Sequence, residues 1–188
     1  VDLSSMWAGP LCGRILALAG AEVVKVESSQ RPDGSRLAPG GFYEVLNGGK
    51  SSLTFDLDSA EGRVELAELL RSADVVIEAS RPRALAQLGI DAAKIVSESP
   101  TVWVSITGHG RWGDDAHRVA FGDDAAVAGG LVAWDESGPM FVADAVADPL
   151  TGIVAAALVL EAVTEARSGI LDVAMSGVAS LFTGAQAT

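Results

Sequence analysis

The chain has 188 residues, 49% of them hydrophobic, which suits one α/β domain with a real core. Its 25 acidic and 13 basic side chains leave a formal charge of −12. That balance argues against a nucleic-acid partner, which demands a basic footprint.

One cysteine, Cys12, excludes an internal disulfide and fits a reducing, cytoplasmic setting. With two widely spaced histidines it makes no zinc ligand set, so no metal is expected. A buried structural thiol is the simplest reading of Cys12, since no activating base stands near it in sequence. No charge-free stretch is long enough to span a bilayer, and the longest apolar run, Ile153 to Leu160, reads as core helix. The chain opens on Val1-Asp2-Leu3 without a secretory pattern or an initiator Met, so a trimmed start is expected.

In chain order, Val1-Asp2-Leu3 reads as the end of a buried strand, and Leu11 to Ala19 has the apolar spacing of a helix that Gly20 ends. Ala21 to Glu27 is a second strand, which makes a βαβ unit and implies a parallel sheet. Ser28 to Gly41 is polar loop, and Ser51 to Leu57 a strand. Asp58 or Ser59 caps a helix with Val64, Leu66, Ala67, Leu69 and Leu70 on its buried side. Asp74 to Glu78 is a short interior strand; Arg81 to Leu88 and Asp91 to Ser97 are short helices; Val102 to Ile106 is the next strand. Thr107 to Phe121 is loop, Asp123 to Leu131 helical, Met140 to Ala143 a short strand, and Ile170 to Met175 a strand or helix start.

Asp148 stands where an N-cap belongs, with Pro149 at the first helical position and an Ala/Val/Leu run behind it. A carboxylate there caps orphan N–H groups and is held ionised by the positive end of the helix dipole. Such a group is either a plain cap or a nucleophile. A dinucleotide site fits less well. Glu27 ends the second strand where a ribose-binding acid would stand, but Ala8-Gly9-Pro10-Leu11-Cys12-Gly13 departs from G-x-G-x-x-G.

Several stretches together resemble the family III CoA-transferases, the group that includes formyl-CoA and carnitine CoA-transferases and α-methylacyl-CoA racemase. They are Val1 to Ser4 with Ala8-Gly9-Pro10; Gly20 to Glu27; Leu46 to Lys50; Phe55-Asp56-Leu57 with Glu61-Gly62; Ala73 to Glu78 with Arg81-Pro82; Leu88-Gly89; Ser105 to Gly108; and Asp148-x-x-Thr151-Gly152. Order and spacing match along nearly the whole chain, although each motif alone is weak.

The resemblance implies a Rossmann-like parallel sheet flanked by helices, residues 1–188 being the large domain without the small one. It implies transfer of CoA between an acyl-CoA thioester and a carboxylic acid, through an aspartyl-CoA thioester on Asp148. Asp144 lies outside the pattern. By the same resemblance Trp7 and Ala8 face the thioester end, and Phe55, Asp56 and Leu57 with Ala79, Ser80 and Arg81 frame the adenine and phosphates. Asp58, Ala79, Gln87 and Ser28 replace basic or amide residues of relatives; Arg31, Arg36, Lys50, Arg81 and Arg83 are the cations that could compensate. The partners implied are acyl-CoA, a carboxylic acid, and a second chain, identical or complementary. Members run about twice this length, so a split or non-catalytic CoA-binding module is the alternative. A racemase is a further one, but it would need a His where Phe121-Gly122-Asp123-Asp124 stands; His109 and His117 are off the pattern.

Overall fold

Residues 1–184 are described by the structure, a computed structural model. The N-terminal segment is the keystone of the sheet. Asp2 donates its N–H to Val24 (2.8 Å) and accepts from Val26 (2.9 Å), while Leu3 donates to Ile77 and Ile77 to Val1, each at 2.9 Å. It thereby joins β1 (Val24–Ser28) and β2 (Ser51–Phe55) to β3 (Val75–Glu78), β4 (Val102–Thr107) and β7 (Gly169–Ala174). All these pairings are parallel. The strand order is β2, β1, residues 1–3, β3, β4, β7, the doubly wound order with its switch point between residues 1–3 and β3.

Helices cover both faces, as an all-parallel sheet requires. On one face α1 (Ala8–Leu18), α6 (Gly122–Ala128), α7 (Ala147–Thr164) and α8 (Met175–Ser180) close over Ile77, Val102, Val104, Ile106 and Val173. On the other, α3 (Ala60–Ser72), α4 (Pro82–Gln87) and α5 (Ala92–Glu98) pack on Val26, Val76 and Trp103. Alternation along β4 explains the division: Val102, Val104 and Ile106 serve one core, Trp103 the other. By length and composition α7 could cross a membrane, with 18 residues and a mean hydropathy of 1.5. Here it is a packing helix, whose Ala155, Ala156, Val159 and Ala162 are buried against the sheet-side core.

Three elements differ from the sequence reading, and a fourth settles an alternative it left open. The short helix α2 (Phe42–Asn47) follows the 28–41 loop, which itself carries two 3-10 turns, Gly34–Leu37 and Pro39–Gly41. The Met140 strand is one arm of a hairpin, β6 (Gly138–Phe141) paired antiparallel with β5 (Val132–Asp135). Ile170 to Met175 is both strand and helix start, β7 running into α8. On α3, Leu66 and Leu70 are buried, but Val64 points to solvent, because the packed stripe is narrower than the apolar one.

Candidate active site

The loops that leave the sheet at the switch point enclose a cavity of about 390 Å³. Its wall takes Ser4, Met6 and Ala8 from the first crossover, Ala79 to Arg81 after β3, Ile106 to Gly108 at the end of β4, Arg118 to Phe121, Met175 and Asp148. This is where a doubly wound sheet binds ligands, outside the carboxyl ends of its strands. The 107–121 connection is held over it by a polar knot. Arg111 donates its backbone N–H to Asp172 (2.8 Å) and its guanidinium to Ser105 (2.8 Å) and Glu78 (3.4 Å), while Glu78 also accepts from Trp103 Nε1 at 2.8 Å.

Asp148 is the only acidic side chain in that wall among the described residues. It is not the N-cap expected from Asp-Pro. Helix α7 starts two residues earlier than that reading, with Val146 as its cap residue, so Asp148 is the second helical residue and Pro149 the third. The reason is the turn before it. Ala145 adopts φ +44°, and its carbonyl accepts the Asp148 N–H at 2.9 Å. The carboxylate is therefore released from capping its own helix. It meets the backbone N–H groups of Ala8, at the start of α1, and Gly122, at the start of α6.

Two glycines make this approach possible. A Cβ on Gly122 would overlap the Asp148 carboxylate and the Ala145 carbonyl. A Cβ on Gly152, one turn along α7, would stand 2.6 Å from the Ala8 carbonyl. The D-x-x-T-G spacing thus couples the acid to the residue that lets α7 close on α1.

The electrostatics also depart from expectation. Burial pushes the Asp148 carboxyl up to about 6, and the nearby Asp123 charge adds to the rise. Hydrogen bonding from the Ala8 and Gly122 N–H groups pulls the other way and is the smaller effect. The helix end does not hold this acid low. It stays mostly ionised at neutral pH, yet more basic and less solvated than a surface carboxylate.

The remaining expected contacts divide. Ala8, Ala79, Ser80 and Arg81 line the cavity. Trp7 is not part of its wall; it stands edge-on to Phe42, ring centroids 5.2 Å apart. Phe55 ends β2, at the far edge of the sheet, and Leu57 follows it; both pack on the α3–α5 core. The Asp56 carboxylate accepts the Asp58 N–H at 3.1 Å.

Among the cations, Lys50 is fully enclosed, donating to Asp2 (2.9 Å), Asn47 (2.9 Å) and the Pro10 carbonyl (2.8 Å), so it is no phosphate ligand. Arg36 is committed to Glu27 and stacks on Tyr43, 3.9 Å from the ring centroid. That pairing also takes Glu27 out of any ribose-binding role, and holds its carboxyl down at about 2. Arg31 and Arg83 are exposed and stand outside the wall. Cys12 is buried, its thiol pushed up to about 12 by burial and by Asp2. Asp144 is exposed.

Sequence reading missed Met6, Arg118, Phe121 and Met175 as wall residues. The glycine-rich and charged 107–121 stretch gave only the signal of a loop, and loops are where such residues collect. No histidine is in the cavity wall among the described residues.

The family model for CoA-transferase family III matches residues 1–188. The chain belongs to CoA-transferase family III. This family III chain is 33% identical over 189 residues to the succinate–glutarate CoA-transferase of Agrobacterium fabrum, a match covering 90% of the chain and 47% of that protein. It is 28% identical over 165 residues to the formyl-CoA:oxalate CoA-transferase of Escherichia coli O6:H1, covering 81% of the chain and 39% of that protein. A crystal structure of a CAIB/BAIF family protein from Brucella suis superposes with a TM-score of 0.87 at 28% identity, over 98% of this chain and 54% of that one. The chain spans about half the length of the curated relatives it matches.

Proposed function

We propose that the protein transfers CoA between an acyl-CoA thioester and a carboxylic acid, with Asp148 as the acyl-accepting nucleophile. The observation that carries this reading is a half-buried carboxylate, raised to about 6 by burial, in the wall of the cavity at the switch point of the sheet.

In the first step an Asp148 oxygen attacks the thioester carbonyl. The C–S bond breaks, CoA leaves as thiolate, and an acyl–aspartyl anhydride forms. The thiolate then attacks the Asp148 carbonyl, releasing the first acid as carboxylate and leaving aspartyl-CoA. The acceptor carboxylate repeats both steps in reverse order, so no proton is gained or lost over the cycle. The Ala8 and Gly122 N–H groups, close to the carboxylate, steady the oxygens on which charge moves. Arg81 and Arg118 are the cations of the wall available to CoA phosphate or acceptor carboxylate.

Replacing Asp148 by Asn or Ala in the full-length protein is expected to lower kcat by at least ~10³-fold, since the covalent route is lost. Transfer persisting near the original rate would refute the assignment. Racemisation would demand a proton carrier at the α-carbon, and among the described residues the wall offers no imidazole beside Asp148. Accordingly, no deuterium from solvent should enter the α-carbon of an acyl-CoA incubated with the protein.

A further inference from the structure

Asp123 lies in the first turn of α6, directly after Gly122, and its role is not that of a cap. Capping falls to its neighbour: the Asp124 carboxylate accepts the Phe121 N–H at 3.2 Å. The Asp123 carboxylate reaches away from its own helix and accepts the Ala145 N–H at 2.8 Å.

Ala145 is one of three non-glycine residues with positive φ among the described residues. For an alanine this left-handed conformation is strained and persists only where surrounding contacts enforce it. Ala145 in turn accepts the Asp148 N–H, and its carbonyl abuts Gly122. Asp123, Ala145 and Asp148 therefore form a chain of contacts that fixes the direction from which the reactive carboxylate enters the cavity.

We propose that Asp123 is a positioning residue for the transfer reaction: by accepting the Ala145 N–H it holds the strained turn that aims Asp148. The inference rests on Asp148 being the nucleophile. The charged groups that face Asp148 are Asp123 on α6 and, around the cavity wall, Arg81 and Arg118. Asp123 thus has two separable contributions, an acceptor for one N–H and a negative charge near another carboxylate.

The test uses D123A, D123N, the double variant D123A/A145G and, as a reference, D148N, all in the full-length protein. D123A should lower kcat on the order of 10²-fold, the scale of a small misplacement of a reacting group, with KM for acyl-CoA little changed. D123N keeps an acceptor oxygen and should recover most of that loss. A glycine at 145 adopts positive φ freely and should recover part of it in D123A/A145G. In D123N the lost charge should move the acidic limb of the kcat profile to lower pH, which a merely structural role would not do.

Full activity in D123A, or a D123N as impaired as D123A with an unmoved acidic limb, would overturn the proposal. If D148N itself turns over normally, the nucleophile assignment falls instead. An inactive D148N beside an unaffected D123A removes only the positioning role.

Discussion

At Asp148, burial competes with two backbone N–H groups for control of a single proton, and burial wins. Under the proposed role of Asp148, that outcome ties reactivity to instability. A carboxyl raised from its ordinary value to about 6 makes the folded state bind a proton that the unfolded chain has already released. The penalty is absent below about pH 4, grows as pH rises towards 6, and is constant above that. D148N removes it. The variant should therefore be more stable than the natural protein at pH 7 by about 1–2 kcal/mol, after discounting for the partial exposure of the group. The gap should close below about pH 4. Urea unfolding at several pH values measures this directly, and a D148N destabilised at pH 7 would show that the carboxylate serves mainly as a structural partner.

The acid itself was legible in the sequence because Asp-Pro before an apolar run marks a helix start and the spacing to Thr151-Gly152 is distinctive. Its surroundings were not. The N–H groups it meets belong to Ala8 and Gly122, and the turn that aims it depends on Asp123. None of these is adjacent in sequence, and the positive φ of Ala145 breaks the ordinary preference of that residue. The same limit applies to Lys50 and Arg36. Their type suggested phosphate binding, whereas Asp2, Asn47, Glu27 and Tyr43 engage them in the fold.

Among the elements, the contact between α1 and α7 is the one on which the site depends. Gly152 stands where α7 crosses the start of α1, close to the Ala8 carbonyl and the Leu11 side chain. A methyl group there forces the helices apart, because the obstructing atom is backbone and cannot rotate away. G152A should therefore cost about 1–3 kcal/mol, read as a lower denaturant midpoint. It should also lower kcat, since it separates the Ala8 N–H from Asp148. A G152A with unchanged kcat would mean that this approach does not set the site.

The interior strands were readable from their apolar runs, Val75 to Glu78 and Val102 to Ile106 above all. Helix α2 was not. It is short, begins after two successive positive-φ glycines, Gly40 and Gly41, and leaves Val45 exposed, so no helical stripe forms. The β5–β6 hairpin was half-hidden for a related reason: Trp134, Met140 and Phe141 lie outside the core and give no inward–outward alternation.

Over the whole molecule, acid stability is set by groups of opposite tendency. Arg36 holds the Glu27 carboxyl at about 2, so the stability that Glu27 contributes is complete above about pH 4.5 and is lost as pH falls towards 2. Asp148 behaves in the reverse sense between about pH 4 and 6. E27Q should lower stability at pH 7 by about 1 kcal/mol, the partly exposed Arg36 limiting the effect, and should flatten the loss on acidification below pH 4. Thermal melts of E27Q and the natural protein at pH 7 and pH 3 check this; parallel losses in both would exclude the Glu27–Arg36 pair as the cause. The parallel sheet followed from the early βαβ pattern and its Rossmann-like form from the family resemblance, but the place of Val1 to Leu3 at the centre of the sheet required the hydrogen bonds to Val24, Val26 and Ile77.

The measurement that bears most directly on the central claim is chemical trapping. Full-length protein incubated with an acyl-CoA and then treated with hydroxylamine should carry a hydroxamate on the peptide containing Asp148, at that residue alone, by mass spectrometry. The label should require the acyl-CoA and vanish in D148N. A label on any other carboxylate, or active protein that never acquires one, would contradict the assignment of Asp148 as the residue that accepts the acyl group.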